Sequence, residues 1–250
     1  MHDDQVQHRA RNYPYERAAH SFVYDCGDIT HLPEDFVALI EGRHPVLAFG
    51  SNAAPEQLRR KYGDQTNARF AVTRATLQGY DVVYSAHLTS YGAVPATLAP
   101  SPGAILETWI TWLDEDQLAH MHTTEMGAGG GADVNYAFGH LQEINLGVAD
   151  IGVKLASVDV YLSNFGALAL TDAPLAFSRI TASNRKFEER DKVSVLEGVR
   201  DSLAPDLDLD KFVHVVVGDK SQRACWGEAL KATAHPLDFP DFLNLVPGPE

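Results

Sequence analysis

Val46-Leu47-Ala48-Phe49-Gly50-Ser51-Asn52-Ala53-Ala54-Pro55 is the stretch on which the fold turns. The apolar run Val46–Phe49 has the length and composition of a buried strand, and it ends in Gly, Ser and Asn, the residues that tight turns demand. Pro55 suits the first position of a helix, where a missing N–H removes no bond. The segment therefore reads as strand, turn, helix. A turn of this kind leaves backbone N–H groups clustered and unpaired, a candidate cradle for an anion or oxyanion. The same composition also serves an ordinary turn, so both readings stand.

Outward from this stretch, residues 44–170 are rich in strand signals. Alternating or continuous apolar runs fall at Val46–Phe49, Phe70–Leu77, Tyr80–Ser85, Ile105–Leu113, Tyr136–Ile144 and Leu155–Ser163, divided by Gly, Pro, Asn and Asp. Six strands and two clear helices predict an α+β fold, a strongly curved mixed sheet or a small mixed β-barrel with packed helices and elaborated N- and C-terminal extensions. Residues 1–43 form the N-terminal extension. It is polar, punctuated by Tyr13, Tyr15, Phe22 and Tyr24, holds a helix candidate from Pro33 to Glu41, and is expected to pack on the body. Residues 171–250 read as a mostly helical extension of the same domain, with Val193, Leu196, Val199 and Leu203 at helical spacing and Phe212–Val217 as one further strand.

The 250 residues carry 34 acidic and 20 basic side chains, a formal net charge of −14. A polyanion would be repelled, so nucleic acid is not an expected partner. Arg59-Arg60-Lys61 and Arg185-Lys186 are too short for a basic patch and read as solvated faces. No apolar stretch approaches the roughly 20 residues that span a bilayer, and Met1–Arg17 lacks the apolar core of a secretion signal. A cytoplasmic protein without a membrane partner is the expectation. Cys26 and Cys225 stand alone and match neither a disulfide framework nor a metal site, which predicts buried free thiols.

The second informative segment is Asp114 to Gly127. Asp114 with Gln117 has capping-box spacing and Gly127 can stop a helix, so a helix is predicted over about Glu115–Met126. Offsets of three and seven place Leu118, Met121 and Glu125 on one stripe, which puts a carboxylate on the core face. Desolvation beside Met121 and Met126, together with the negative end of the helix dipole, should raise its pKa and suit it to general acid–base chemistry. The competing reading is a carboxylate at a fraying helix end or one satisfied by an Arg. His120 and His122 are two apart and diverge, so no metal site is expected. Gly127-Ala128-Gly129-Gly130-Gly131 lacks the spacing of a phosphate loop and reads as a connector able to cover the site.

The order of these features resembles the gamma-glutamylcyclotransferase-like proteins, over about residues 44–170. Phe49-Gly50-Ser51-Asn52 stands where that family has Tyr-Gly-Ser-Asn, so one hydroxyl is missing. Pro95-Ala96-Thr97-Leu98 and Ser101-Pro102-Gly103 resemble the segment before the central strand, Trp109–Leu113 is similar to that strand, and Leu118–Glu125 is similar to the helix that ends in the catalytic Glu. Tyr136 and Val160–Asn164 resemble later strands. The resemblance implies a catalytic Glu125 and a substrate site at Phe49, Gly50, Ser51, Asn52, Tyr136 and Tyr161. It also implies closure of a gamma-glutamyl group to 5-oxoproline, with no cofactor. Arg69, Arg74 and His87 are lesser candidates for a substrate carboxylate, and Ser51 and Ser85 lie outside any nucleophile-elbow pattern. Two other classes stay open: a catalytically inactive barrel binding a small acidic metabolite, and a protein-interaction module with a vestigial pocket.

Overall fold

The computed structural model describes residues 3–63, 65–126 and 135–246. The Gly127–Gly131 connector lies outside them. Along the chain come α1 (Asp3–Asn12), β1 (Phe22–Asp25), β2 (Asp28–His31), β3 (His44–Leu47), α2 (Pro55–Tyr62), β4 (Arg69–Tyr84), β5 (Ala96–Leu113) and α3 (Glu115–Met126). Then follow β6 (Tyr136–Leu141), β7 (Leu146–Val148), β8 (Val153–Leu155), β9 (Val158–Ser163), β10 (Leu175–Phe177), β11 (Ala182–Ser183) and β12 (Glu188–Arg190). Last are α4 (Lys192–Leu203), α5 (Leu209–Gly218), α6 (Lys220–Thr233) and β13 (Phe242–Val246). The helix expected over Pro33–Glu41 shrinks to a 3₁₀ turn at Phe36–Leu39. No helix among the described residues is long and apolar enough to cross a membrane.

The strands form one mixed sheet whose main path runs β12-β10-β4-β5-β3-β9-β6-β13. Its ends do not meet, which corrects the expected barrel to an open sheet. Among the described residues the terminal strands β12 and β13 each pair with one neighbour, β10 and β6, and no ladder joins them.

The long β4–β5 hairpin also differs from the sequence reading. Gly79, at φ +83°, forms a bulge where the register shifts between Gln78 and Tyr80, so two expected strands are one continuous β4. Strand β5 begins at Ala96, before the expected Ile105, and carries Pro100 opposite Tyr80 just past that bulge.

Phe212–Val217 is helical, not a strand. Asp208 caps α5 through the Lys211 N–H at 2.8 Å, and the buried residues Leu209, Phe212, Val213 and Val216 repeat with the period of a helix. A run of β-branched valines masked that period. The Asp114–Gln117 capping box forms in both directions, at 2.9 and 3.2 Å.

Both faces of the central strands are buried. Val46, Phe70, Val72, Trp109 and Leu113 pack with Leu58 and Tyr62 of α2 and Leu118 and Met121 of α3. Leu47, Ala71, Ile110 and Trp112 face the other way, toward a core shared with α1 and α4–α6. Neighbouring residues alternate between these cores, as the strand period of two requires, which is why the strands read as continuous apolar runs. Where β3 ends, the chain leaves the sheet between the two cores. Both cysteines are free and exposed, correcting the expected burial: Cys26 sits in the β1–β2 turn at φ +48° and Cys225 on the outer side of α6.

Candidate functional site

The last backbone bond of the β3 segment runs from the Ala48 N–H to the Trp109 carbonyl, 2.8 Å. Ser51–Ala53 then form a 3₁₀ turn closed by the Ala54 N–H on the Ser51 carbonyl, 2.9 Å. The first N–H groups of such a turn have no partner within it. Among the described residues no backbone carbonyl outside the turn accepts from Gly50, Ser51 or Asn52. Gly50 sits at φ −97°, so space rather than a left-handed backbone demands glycine: a Cβ would lie 2.9 Å from the Tyr13 hydroxyl oxygen. Arg17 holds the loop from behind, donating to the Phe49 carbonyl and, at 3.2 Å, to the Gly50 carbonyl. Burial lowers the Arg17 pKa to about 10, which leaves the guanidinium charged at neutral pH.

Across from the loop stands Glu125. The Asn52 side-chain amide donates to its Oε1 at 2.9 Å, and Lys61 forms an ion pair with the same oxygen. The two charged side chains are 6% and 14% exposed for Lys61 and Glu125 respectively, so each offsets the other's loss of water. A carboxylate on the core face is thus present, satisfied by a Lys where the competing reading expected an Arg. Lys61 does not lie on a solvated face, and its neighbour Arg60 pairs with Glu56 beside the Tyr15 ring. Arg185 also departs from the solvated reading: it is 8% exposed and pairs with the buried Asp81 at 3.1 Å.

Loop and carboxylate border one cavity of about 630 Å³. Phe49, Gly50, Ser51, Asn52, Glu125, Tyr136 and Tyr161 all line it. Sequence reasoning missed Tyr13, Lys61 and Tyr91 on the same wall, and also a face of α6. For Tyr13 the available signal was an aromatic pair, Tyr13 and Tyr15, in an otherwise polar leader, which needs a place to be buried. Its hydroxyl accepts from the Ala96 N–H at 3.0 Å, leaving its own proton for donation. Burial raises the pKa of Tyr13, Tyr91, Tyr136 and Tyr161, and the charge of Glu125 adds to the rise in each, so these hydroxyls stay protonated near neutral pH.

The remaining candidates separate. His120 Nε2 lies 2.5 Å from the Lys61 carbonyl, whereas His122 Nδ1 bonds the Tyr161 hydroxyl at 2.8 Å, so the two rings serve different walls. Among the described residues no cluster of His, Cys, Asp and Glu could hold a metal ion. His87 lines the cavity, stacks on Phe165 at 4.6 Å and bonds Ser85 Oγ at 2.9 Å; burial lowers its pKa to about 3, so the ring is neutral. Ser85 is fully buried, bonded to Ser163 Oγ at 2.6 Å, and does not line the cavity. Arg69 and Arg74 point elsewhere, toward Asp25 and Glu107, each at 3.6 Å.

The site as built can hold one small polar ligand between backbone donors, neutral tyrosine hydroxyls and a carboxylate. Among the described residues the hydrogen bonds to that carboxylate from Asn52 and Lys61 both fall on Oε1.

No family model matches this chain, and no curated protein matches it. Solved structures that overlay on it include a solution structure from Arabidopsis thaliana, at 17% identity and TM-score 0.35, covering 48% of this chain and 68% of that one. A gamma-glutamyl cyclotransferase overlays at 14% identity and TM-score 0.36, over 79% of this chain and 90% of that chain. YkqA from Bacillus subtilis overlays at 12% identity and TM-score 0.35, over 86% and 74%.

Proposed function

We propose that this chain is a cyclotransferase that closes a gamma-glutamyl group to 5-oxoproline and releases the attached amine. The observation that carries this reading is the hydrogen bond from Asn52 to Glu125, which fixes the carboxylate against the Gly50-Ser51-Asn52 loop on one cavity wall. A general base and a set of unpaired backbone donors then face a single small ligand, the arrangement internal aminolysis needs.

In the proposed reaction the substrate's alpha-ammonium gives a proton to Glu125. The freed amine attacks the gamma-carbonyl carbon, a new C–N bond closes the five-membered ring, and the carbonyl oxygen becomes an oxyanion held by loop N–H groups. The carboxyl returns its proton to the departing nitrogen as the oxyanion re-forms the carbonyl and the original amide C–N bond breaks, and the second proton of the ring nitrogen passes through Glu125 to the released amine, which leaves as an ammonium. Nucleophile and electrophile belong to one molecule, so the enzyme's task is to fold the substrate and shield it. Tyrosine hydroxyls that stay protonated supply donors without adding charge.

Incubating the pure protein with gamma-glutamyl dipeptides, glutathione and gamma-glutamyl amines should yield 5-oxoproline, and no product from any member sinks the reading. The Lys61–Glu125 pair favours a second reading, a quiet pocket that binds an acidic metabolite, because it satisfies the carboxylate without substrate. Ligand-induced thermal stabilisation without turnover would select that one.

A further inference from the structure

The chain is strongly acidic, yet the cavity wall reverses that sign. Among the described residues Lys61, Lys220, Arg223 and Lys231 line it against Glu125 and Glu228. Lys61 and Glu125 neutralise each other, which leaves the cations of α6 facing one carboxylate. Lys220, Arg223 and Lys231 have no carboxylate within ion-pair distance among the described residues, although acidic side chains outnumber basic ones 34 to 20 in the chain.

The placement follows from the helix. Positions 220, 223, 227 and 231 fall on one face at offsets of three, seven and eleven, over about 16 Å of helix at 1.5 Å per residue. Ala224 and Gly227 stand between the cations, and a Cβ on Gly227 would meet nothing within 4 Å. Glycine in a helix interior is unfavourable by about 1 kcal/mol relative to alanine, and here it keeps the wall open between charges. Arg223 is anchored by Nη1 donating to the Val216 carbonyl at 2.5 Å. Lys231 is held over the Phe165 ring, 5.4 Å from its centre, and Phe165 is itself part of the cavity wall.

We propose that this face of α6 is the subsite for the departing amine, and that this amine carries a multiply charged anion, a second carboxylate or a phosphate monoester. The inference rests on the cyclotransferase reading for which end of the ligand lies here. One charge would be matched by one cation; three cations without an ion-pair partner around a recess, with Glu228 against them, select a tail with more than one negative charge, since a recess lined by one sign of charge concentrates the field on it.

The test compares kcat/KM for gamma-glutamyl-aspartate and gamma-glutamyl-phosphoethanolamine with gamma-glutamyl-alanine and gamma-glutamyl-ethylamide, in wild type and in Arg223→Gln/Lys231→Gln. Wild type should prefer the multiply charged tails at least tenfold, the ratio of charged-tail to ethylamide kcat/KM should fall toward one in the double variant, and the better of the two charged tails identifies the anion. Equal use of ethylamide and charged substrates by wild type overturns the subsite while the cyclotransferase reading stands. If no gamma-glutamyl compound turns over, that reading fails, and the subsite is tested by melting temperature with phosphoethanolamine and with aspartate alone. A rise in wild type that the double variant lacks upholds it, and no rise overturns it.

Discussion

The two ends of the cavity are built on opposite principles. At the Glu125 end, charge is paired, buried and fixed: Lys61 and Asn52 both bond the carboxylate, and Arg17 and Tyr13 hold the loop beside it. At the α6 end, charge is unpaired, and Lys220 and Lys231 reach solvent. Chemistry at one atom needs fixed distances, whereas recognition of a charged tail needs field more than geometry. The comparison teaches that substitutions at the first end should be steep and geometry-dependent, and those at the second graded and salt-dependent.

The steepest test is Glu125→Gln. The amide cannot shuttle a proton, so turnover should fall by about 10²–10⁴. The same change leaves the Lys61 ammonium buried without its counter-charge, so stability should drop by roughly 3 kcal/mol. Adding Lys61→Met should restore the melting temperature but not turnover. A double variant that regains activity would dissolve the contrast between the two ends, because the carboxylate would then be structural.

Next comes Gly50→Val. Its side chain meets the Tyr13 hydroxyl, and displacing the loop donors should cost about 10²–10³ in rate while circular dichroism still reports a folded protein. Tyr13→Phe combined with Gly50→Ala frees the space that the hydroxyl fills, and should recover part of the rate lost by Gly50→Ala alone. Full activity in Gly50→Val would make the loop an ordinary turn.

A smaller effect is expected from pH. His87 titrates near 6.5 when unfolded and near 3 when folded, because burial disfavours its charged form. Below pH 6.5 the unfolded chain binds a proton that the folded one refuses, so stability present above that pH is lost as pH falls toward 3. The slope is about 1.4 kcal/mol per pH unit. Urea titrations of wild type and His87→Gln between pH 7 and 4 should show the variant less pH-sensitive by that slope, and parallel curves would place the ring in contact with water.

The smallest effect marks the boundary of the site. Arg74→Ala removes an exposed pair with Glu107, so stability should change by less than about 1 kcal/mol and cavity ligands should bind as before. Weakened binding would extend the site beyond the cavity described.

Features set within a few residues are legible in the sequence. Glu125 reaches the cavity because its phase relative to Leu118 and Met121 depends only on the period of a helix, and the Asp114–Gln117 box is a contact across three residues. The strand, turn and helix at Val46–Pro55 likewise follow from propensity and backbone geometry alone. Errors came where period and composition disagree, as in the valines of α5, or where a glycine bends a strand without ending it, as Gly79 does.

The sequence by itself determined which segments are helix and strand near the loop, that Glu125 falls on the core face of its helix, and that the chain is acidic overall. Only the tertiary structure decided that the sheet stays open, that Lys61 answers Glu125, that Tyr13 crowds Gly50, and that α6 turns a cationic face to the same cavity. The reason is physical: periodicity and capping act within a few residues, whereas ion pairing and close packing depend on distance in space. Residues 13, 61, 125 and 223 become neighbours of one cavity only after both faces of the sheet have been covered.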